Sequence, residues 1–196
     1  LDWNASSGSA NIDSIEIVDG SELNAWEFNV NGNAEGWVPQ AQVDSSNVTS
    51  DVLQLSFTNR TDPTVNSLDN LKITARPNQS LRMLAKNSTG AHQASLQWIT
   101  DTDATWDKAK STTISIDPNE SGFTDYYFPV GASSTWSGTI KQLRLHPITS
   151  DDTTAWSGTI DIDRLVLGAG LPVSNAVTFG LPGNGKVDLY WAQNRG

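Results

Sequence analysis

Hydrophobic and polar positions alternate with a period of two along most of the chain. Val52–Phe57, Ala94–Trp98, Thr113–Ile116 and Ile140–Leu145 show the pattern clearly, and clusters rich in Asn, Asp, Gly and Pro separate such segments. A period of two places successive side chains on opposite faces of a strand, whereas a helix needs a period of 3.6. Residues 103–110 could form a short helical turn. The pattern therefore predicts an all-β fold, an antiparallel β-sandwich.

The two ends of the chain suggest a modular organisation. Asn11–Val18 resembles Asp161–Leu167, and a glycine follows each segment closely. We predict a sandwich over residues 21–168, preceded by a strand in 1–20 and followed by a strand or hairpin in 169–196. The first segment is either the end of a preceding module or an extra edge strand. Within the last, Leu171–Trp191 resembles the opening hairpin of a fibronectin type III module, so it is expected to begin a following module.

Composition narrows the classes of partner. The 196 residues carry 12 Lys and Arg against 22 Asp and Glu, a net charge of −10, and no cysteine. This charge argues against nucleic acid as a partner, because the phosphates would be repelled. The lack of cysteine excludes disulfides and thiolate metal sites. No apolar run approaches 18 residues, so no membrane insertion is expected. The acidic, Asn-, Ser- and Thr-rich composition favours a location outside the cell or on its surface.

Motifs for catalysis are missing. The chain has two histidines, His92 and His146, no His-Glu-x-x-His motif, no Gly-x-Ser-x-Gly motif and no glycine-rich phosphate loop. We therefore predict that it is not an enzyme. An alternative, cleavage of an acidic polysaccharide, would require His146, Arg144 and Tyr126 to converge.

Binding residues are easier to find. If the strands Leu81–Lys86, Ala94–Thr100 and Ile140–His146 share a sheet, alternation gives its outer face a common set of polar side chains. These are Arg82, Lys86, Gln97, Gln142, Arg144 and His146. Arginine offers paired donors to carboxylates or sulfates, and such groups occur on acidic polysaccharides. The alternative is that these are solvated side chains paired with nearby acids.

Six of the eight tryptophans divide into two groups by their sequence context. Three follow the apolar pattern and are predicted to lie in the core: Trp26, Trp37 and Trp98. Three others lie in a polar stretch or precede a Ser-Gly turn: Trp106, Trp136 and Trp156. Each of these is either a ligand platform or a plug that anchors its loop. Trp136–Ile140 recurs as Trp156–Ile160, so each copy is expected to place a tryptophan and a turn just before a strand.

Trp26–Phe28, together with Asn31–Trp37, is similar to the opening of bacterial carbohydrate-binding modules with a galactose-binding-like jelly roll. Ile160–Leu167 is similar to their closing strand, and the resemblance covers residues 21–168. It implies noncatalytic binding of a polysaccharide, which is expected to be acidic if the basic groups contact it. Alternation and sequence context supply the candidate ligand residues: Arg82, Gln97, Trp106, Trp136, Gln142, Arg144 and His146.

The same resemblance implies a structural calcium ion that joins the first and last strands. The acids in the matching positions are Glu27 and Asp163, with Asp161 as a further candidate. Calcium prefers about 6–8 oxygen ligands and would stabilise a sandwich that has no disulfides.

A structural role is the alternative function. Asn11–Val18 and Val187–Trp191 could pair with neighbouring copies by strand exchange. The protein would then be a subunit of an extracellular filament or surface layer, and its partners would be further copies or adjacent modules.

Overall fold

The computed structural model describes residues 24–149 and 154–169. Residues 1–20 and 170–196, which make up the two predicted end segments apart from Ala169 and include the fibronectin-like hairpin, lie outside these residues. The strands are β1 Asn24–Trp26, β2 Val38–Ala41, β3 Ser45–Thr49, β4 Val52–Arg60, β5 Thr64–Asn66, β6 Ile73–Thr74, β7 Gln79–Asn87, β8 Gln93–Thr100, β9 Ser111–Ser115, β10 Thr124–Phe128, β11 Thr139–Thr149 and β12 Trp156–Ala169. Helical structure in this part of the chain consists of 3-10 turns at Lys108–Lys110 and Val130–Ala132. None of its helices is long and apolar enough to span a membrane.

The described strands form two antiparallel sheets. Sheet A has the order β10-β7-β12-β4-β3, and β1 also pairs with β12. Sheet B has the order β2-β5-β11-β8-β9, and β6 also pairs with β11. The chain crosses repeatedly between the sheets, so the centre of each sheet contains strands that are distant in sequence. The predicted all-β sandwich is confirmed.

Alternation produces the core between the sheets. Leu53, Leu55 and Phe57 of β4 are buried, and so are Leu143 and Leu145 of β11. Apolar side chains on one face of each sheet must be covered, and two sheets packed face to face achieve this.

The three tryptophans predicted in the core are buried there. Trp26, Trp37 and Trp98 are 7%, 2% and 0% exposed. Trp26 packs edge-on against Trp37, with 5.4 Å between the ring centroids. The prediction for these side chains is confirmed.

The Trp-Ser-Gly-Thr-Ile repeat does not have one structure. In the first copy Gly138, with a φ of +70°, ends the turn before β11. In the second copy Gly158 lies inside β12, at a register shift opposite β4. The expectation that a turn precedes the second strand is therefore wrong. A Cβ at Gly158 would lie 2.9 Å from the Ser88 carbonyl oxygen, so glycine here permits the close approach of the β7–β8 connection.

Candidate functional site: the outer face of sheet B

One register row crosses five strands of sheet B and faces away from the core. It contains Val38, Asn66, Arg144, Gln97 and Ser111. Since Leu143 and Leu145 are buried against sheet A, Arg144 between them points outward. Adjacent strands lie about 4.8 Å apart, so the row spans roughly 19 Å. We call the surface around this row the outer face of sheet B.

Arg144 is held from two directions at the middle of the row. Its Nε donates to Asn66 Oδ1 at 2.9 Å, and its guanidinium carbon lies 3.9 Å from the centroid of the Trp106 ring. Within the described part of the chain, neither Nη group donates to a protein acceptor, and neither is buried without a partner. Two forked donor groups are thus open to solvent in a fixed orientation.

The guanidinium also keeps its charge. Partial burial lowers the pKa of Arg144, and the Asp62 carboxylate opposes this shift. Arginine remains protonated in any solution in which a protein is folded. Among residues 24–149 and 154–169, no carboxylate forms a salt bridge with it. Its charge is therefore available to an anionic ligand.

Trp106 lies at this face because of a loop. It is half-buried in the connection between β8 and β9, and one side of its ring covers the Arg144 guanidinium. A cation over an indole is stabilised by about 0.5–2 kcal/mol, depending on solvent exposure. The polar stretch around Trp106 made this residue a candidate ligand platform or loop plug. Nothing in the sequence indicated that Arg144 is its partner.

Two glutamines add amide groups to the face. Gln97 is half-buried, opposite Arg144 in the β8–β11 register, and its side chain makes no hydrogen bond among the described residues. Gln142 donates from Nε2 to the Ser67 carbonyl at 2.8 Å, and its Oε1 accepts no hydrogen bond from a described group. Neutral amides of this kind donate to and accept from hydroxyl groups.

His146 lies on the same face but is only 8% exposed. Its Nδ1 lies 2.7 Å from Asp62 Oδ1, in the β4–β5 connection. Partial burial acts to raise the pKa of Asp62, but the hydrogen bond with His146 and the positive charge nearby outweigh it, so this pKa is lowered. We assign His146 to holding Asp62 in place rather than to touching a ligand.

The residues of the alternative enzymatic site do not converge. Tyr126 is buried in sheet A, where its hydroxyl accepts from the Asp117 backbone N–H and burial raises its pKa to about 12. Ser95 is opposite His146, but its Oγ donates to the Thr112 carbonyl. Within residues 24–149 and 154–169 the His146 Nε2 has no hydrogen-bond partner, so the nucleophile–base contact of a serine hydrolase is not formed there.

Two of the predicted ligand residues lie elsewhere. Arg82 is on β7 in sheet A, so the expectation that Leu81–Lys86 shares a sheet with the other two strands is wrong. Its guanidinium binds both oxygens of Asp125, at 2.7 and 2.9 Å. Trp136 is 5% exposed, packs edge-on against Trp98 and donates to Gln79. For Trp136 the structure shows a plug that anchors its loop.

Of the predicted calcium ligands, Glu27 directly follows β1, and Asp161 and Asp163 lie in β12, the strand that pairs with β1. Glu27 accepts from Asn29, and Asp161 accepts from Gln54, each at 2.9 Å. Within the described ranges no three His, Asp or Glu side chains form a group that could hold a metal. The pairing of β1 with β12 does join the first and last described strands, but through backbone hydrogen bonds.

Comparison with known proteins identifies the architecture. No protein-family model matches the sequence, and no curated protein matches it either. A solved variant of a family 29 carbohydrate-binding module has a TM-score of 0.52 at 13% identity, covering 76% of this chain and 86% of its own. A further family 29 module gives 0.52 at 12%, covering 76% and 89%. The fold is that of these modules. The resemblance expected from the sequence is confirmed at this level.

One structure with a similar fold contains a ligand. A family 29 module variant in complex with cellulohexaose has a TM-score of 0.50 at 14% identity, and the match covers 76% of this chain and 92% of that one.

The Asp62–His146 contact gives a prediction about acid stability. Since the pKa of Asp62 is lowered on folding, its contribution is present above the ordinary aspartate pKa of about 4 and is lost as the pH falls through the lowered value. We expect Asp62→Asn to reduce the free energy of unfolding by about 1 kcal/mol at pH 7, a figure that allows for screening of this half-exposed group. Urea unfolding at pH 7 and pH 3 measures this. A difference that does not shrink at pH 3 would contradict it.

Proposed function

We propose that this chain is a noncatalytic carbohydrate-binding module that holds a polysaccharide on the outer face of sheet B. The observation that carries the proposal is the indole of Trp106, which lies over Arg144 on the face that also carries the amides of Gln97 and Gln142. An aromatic ring stacks on the apolar face of a sugar, and amides bond to its hydroxyls. The fold supports the proposal, since solved modules with this fold include one in complex with cellulohexaose.

The ligand we propose is acidic. The open Nη groups of Arg144 match a carboxylate or sulfate in two parallel hydrogen bonds, and no protein carboxylate among the described residues occupies them. The overall charge of −10 would repel such a polymer at long range, so this local pair of donors must provide the selectivity. A secreted or cell-surface location follows from the proposed ligand, because structural polysaccharides occur there.

A panel of soluble polymers tests the proposal. Affinity electrophoresis of the chain in gels with neutral glucans, xylans or mannans, and with polyuronates or sulfated glycans, is expected to show retardation, strongest with an acidic polymer. Incubation with the retarding polymer is expected to release no new reducing ends. If no polymer retards the chain, the proposed function is wrong.

Arg144→Gln tests whether Arg144 recognises the acidic group of the polymer. We expect it to weaken binding of the acidic polymer by about tenfold and to leave any binding of the neutral analogue within about twofold, since a charged hydrogen bond contributes roughly 1.5–3 kcal/mol. Arg82→Gln, on the opposite sheet, is the matched control and should change neither. Equal losses of affinity for the acidic and the neutral polymer would show that Arg144 does not recognise the acidic group.

Calcium remains a prediction from the family resemblance. If an ion joins the first and last strands, a chelator should lower the thermal midpoint and added calcium should restore it. A melting curve that is identical with chelator and with calcium would contradict the prediction of a structural calcium ion.

A further inference from the structure

Trp106 lies on a loop whose two ends are tied together by one carboxylate. The loop leaves β8 at Thr100 and re-enters the sheet at Ser111. At its start, the backbone N–H of Thr100 donates to the Asp103 carbonyl, and the Asp103 N–H donates to Thr100 Oγ1, both at 3.0 Å. Asp103 Oδ1 then accepts from the Thr105 N–H at 3.0 Å. Asp103 therefore fixes the residues that immediately precede Trp106.

The far end of the loop reaches the same residue. Lys110 Nζ lies 2.7 Å from Asp103 Oδ2 and 3.3 Å from the Asp103 carbonyl oxygen. Lys110 is only 6% exposed, an unusual environment for lysine, which is seldom buried without a partner. A hydrogen bond from Thr135 Oγ1 to the Ala109 carbonyl, at 3.0 Å, adds a link to the β10–β11 connection. The chain on both sides of Trp106 is thus held at Asp103.

We infer that Asp103 and Lys110 are positioning residues that hold Trp106 over Arg144 before the polysaccharide arrives. The inference rests on the proposed function. A side chain that is ordered in advance loses less entropy on binding, so a side chain that is mobile in the free protein gives a weaker affinity. The hydrogen bond from Lys110 has the largest effect on the pKa of Asp103, and that from the Thr105 N–H has the next largest. Both keep this pKa below its usual value, so the carboxylate stays charged in neutral and mildly acidic solution.

The experiment compares Lys110→Met, Lys110→Arg and Asp103→Asn in the full chain. In the free protein, the indole N–H resonance of Trp106 reports its position and that of Trp98 reports the core. We expect Lys110→Met and Asp103→Asn to shift or broaden the Trp106 resonance, leave that of Trp98 in place and weaken polymer binding roughly tenfold. Lys110→Arg should retain most of the affinity. Lys141 of β11 forms a surface ion pair with Asp69. Lys141→Met removes this pair and is the matched control, which should leave the Trp106 resonance and the affinity unchanged.

The outcomes separate the positioning role from the proposed function. An unchanged Trp106 resonance in both Lys110→Met and Asp103→Asn would overturn the positioning role. So would a moved resonance with unchanged affinity, provided that Trp106→Ala itself weakens binding. If Trp106→Ala binds as tightly as the natural chain, the proposed function fails instead. If Lys110→Met also moves the Trp98 resonance, the exposed variant Asp103→Asn decides the result, because its side chain is not part of the core.

Discussion

Trp106→Ala is expected to weaken polysaccharide binding by at least about tenfold while leaving the fold intact. The ring provides the aromatic surface of the outer face of sheet B and covers one side of Arg144. Its loss removes the stacking surface and also frees the guanidinium to move. Aromatic residues at the centre of a binding surface commonly contribute 2 kcal/mol or more, which corresponds to roughly thirtyfold in affinity. Titration calorimetry with the polymer that binds best measures the change.

The matched control for this variant lies on the other sheet. Tyr127 is a half-buried aromatic residue that is opposite Arg82 in the β7–β10 register of sheet A. We expect Tyr127→Ala to retain the affinity of the natural chain. Loss of affinity in Tyr127→Ala but not in Trp106→Ala would place the binding surface on sheet A.

Trp98→Ala is expected to have the opposite phenotype. Trp98 is fully buried, packs edge-on against Trp136 with 5.2 Å between the centroids, and donates from Nε1 to the Thr135 carbonyl. Removal of a buried tryptophan usually costs about 3–5 kcal/mol, because of lost burial and the cavity that remains. Denaturant unfolding should show this loss, whereas Trp106→Ala should lower stability by no more than about 2 kcal/mol. A cost below about 1 kcal/mol for Trp98→Ala would contradict its place in the core.

Much of the fold was predictable because alternation is a local property. The pattern placed strands at Val52–Phe57, Ala94–Trp98 and Ile140–Leu145, and these lie within β4, β8 and β11. It did not predict which strands are neighbours. Sheet membership depends on crossovers between strands that are distant in sequence, and Leu81–Lys86 was wrongly grouped with sheet B for this reason.

The site was predictable only where it depends on the alternation of side chains along a strand. Gln97, Gln142 and Arg144 lie together because alternation fixes the face of a strand once β8 and β11 pair. Burial was harder to infer, since a loop can cover an outward-facing residue. His146 is buried where the β4–β5 connection brings Asp62 within 2.7 Å. The stacking of Trp106 on Arg144 depends on the path of a loop, which alternation does not specify.

The most direct test of the proposed binding face is a nuclear magnetic resonance titration of the natural chain with an oligosaccharide of the polymer that binds best. The central claim predicts shifts at the Trp106 indole, the Arg144 Nε and the Gln97 amide, all on the outer face of sheet B. The signals of Arg82 and Tyr127 on sheet A should remain in place. Shifts confined to sheet A, or none at saturating ligand, would contradict the account.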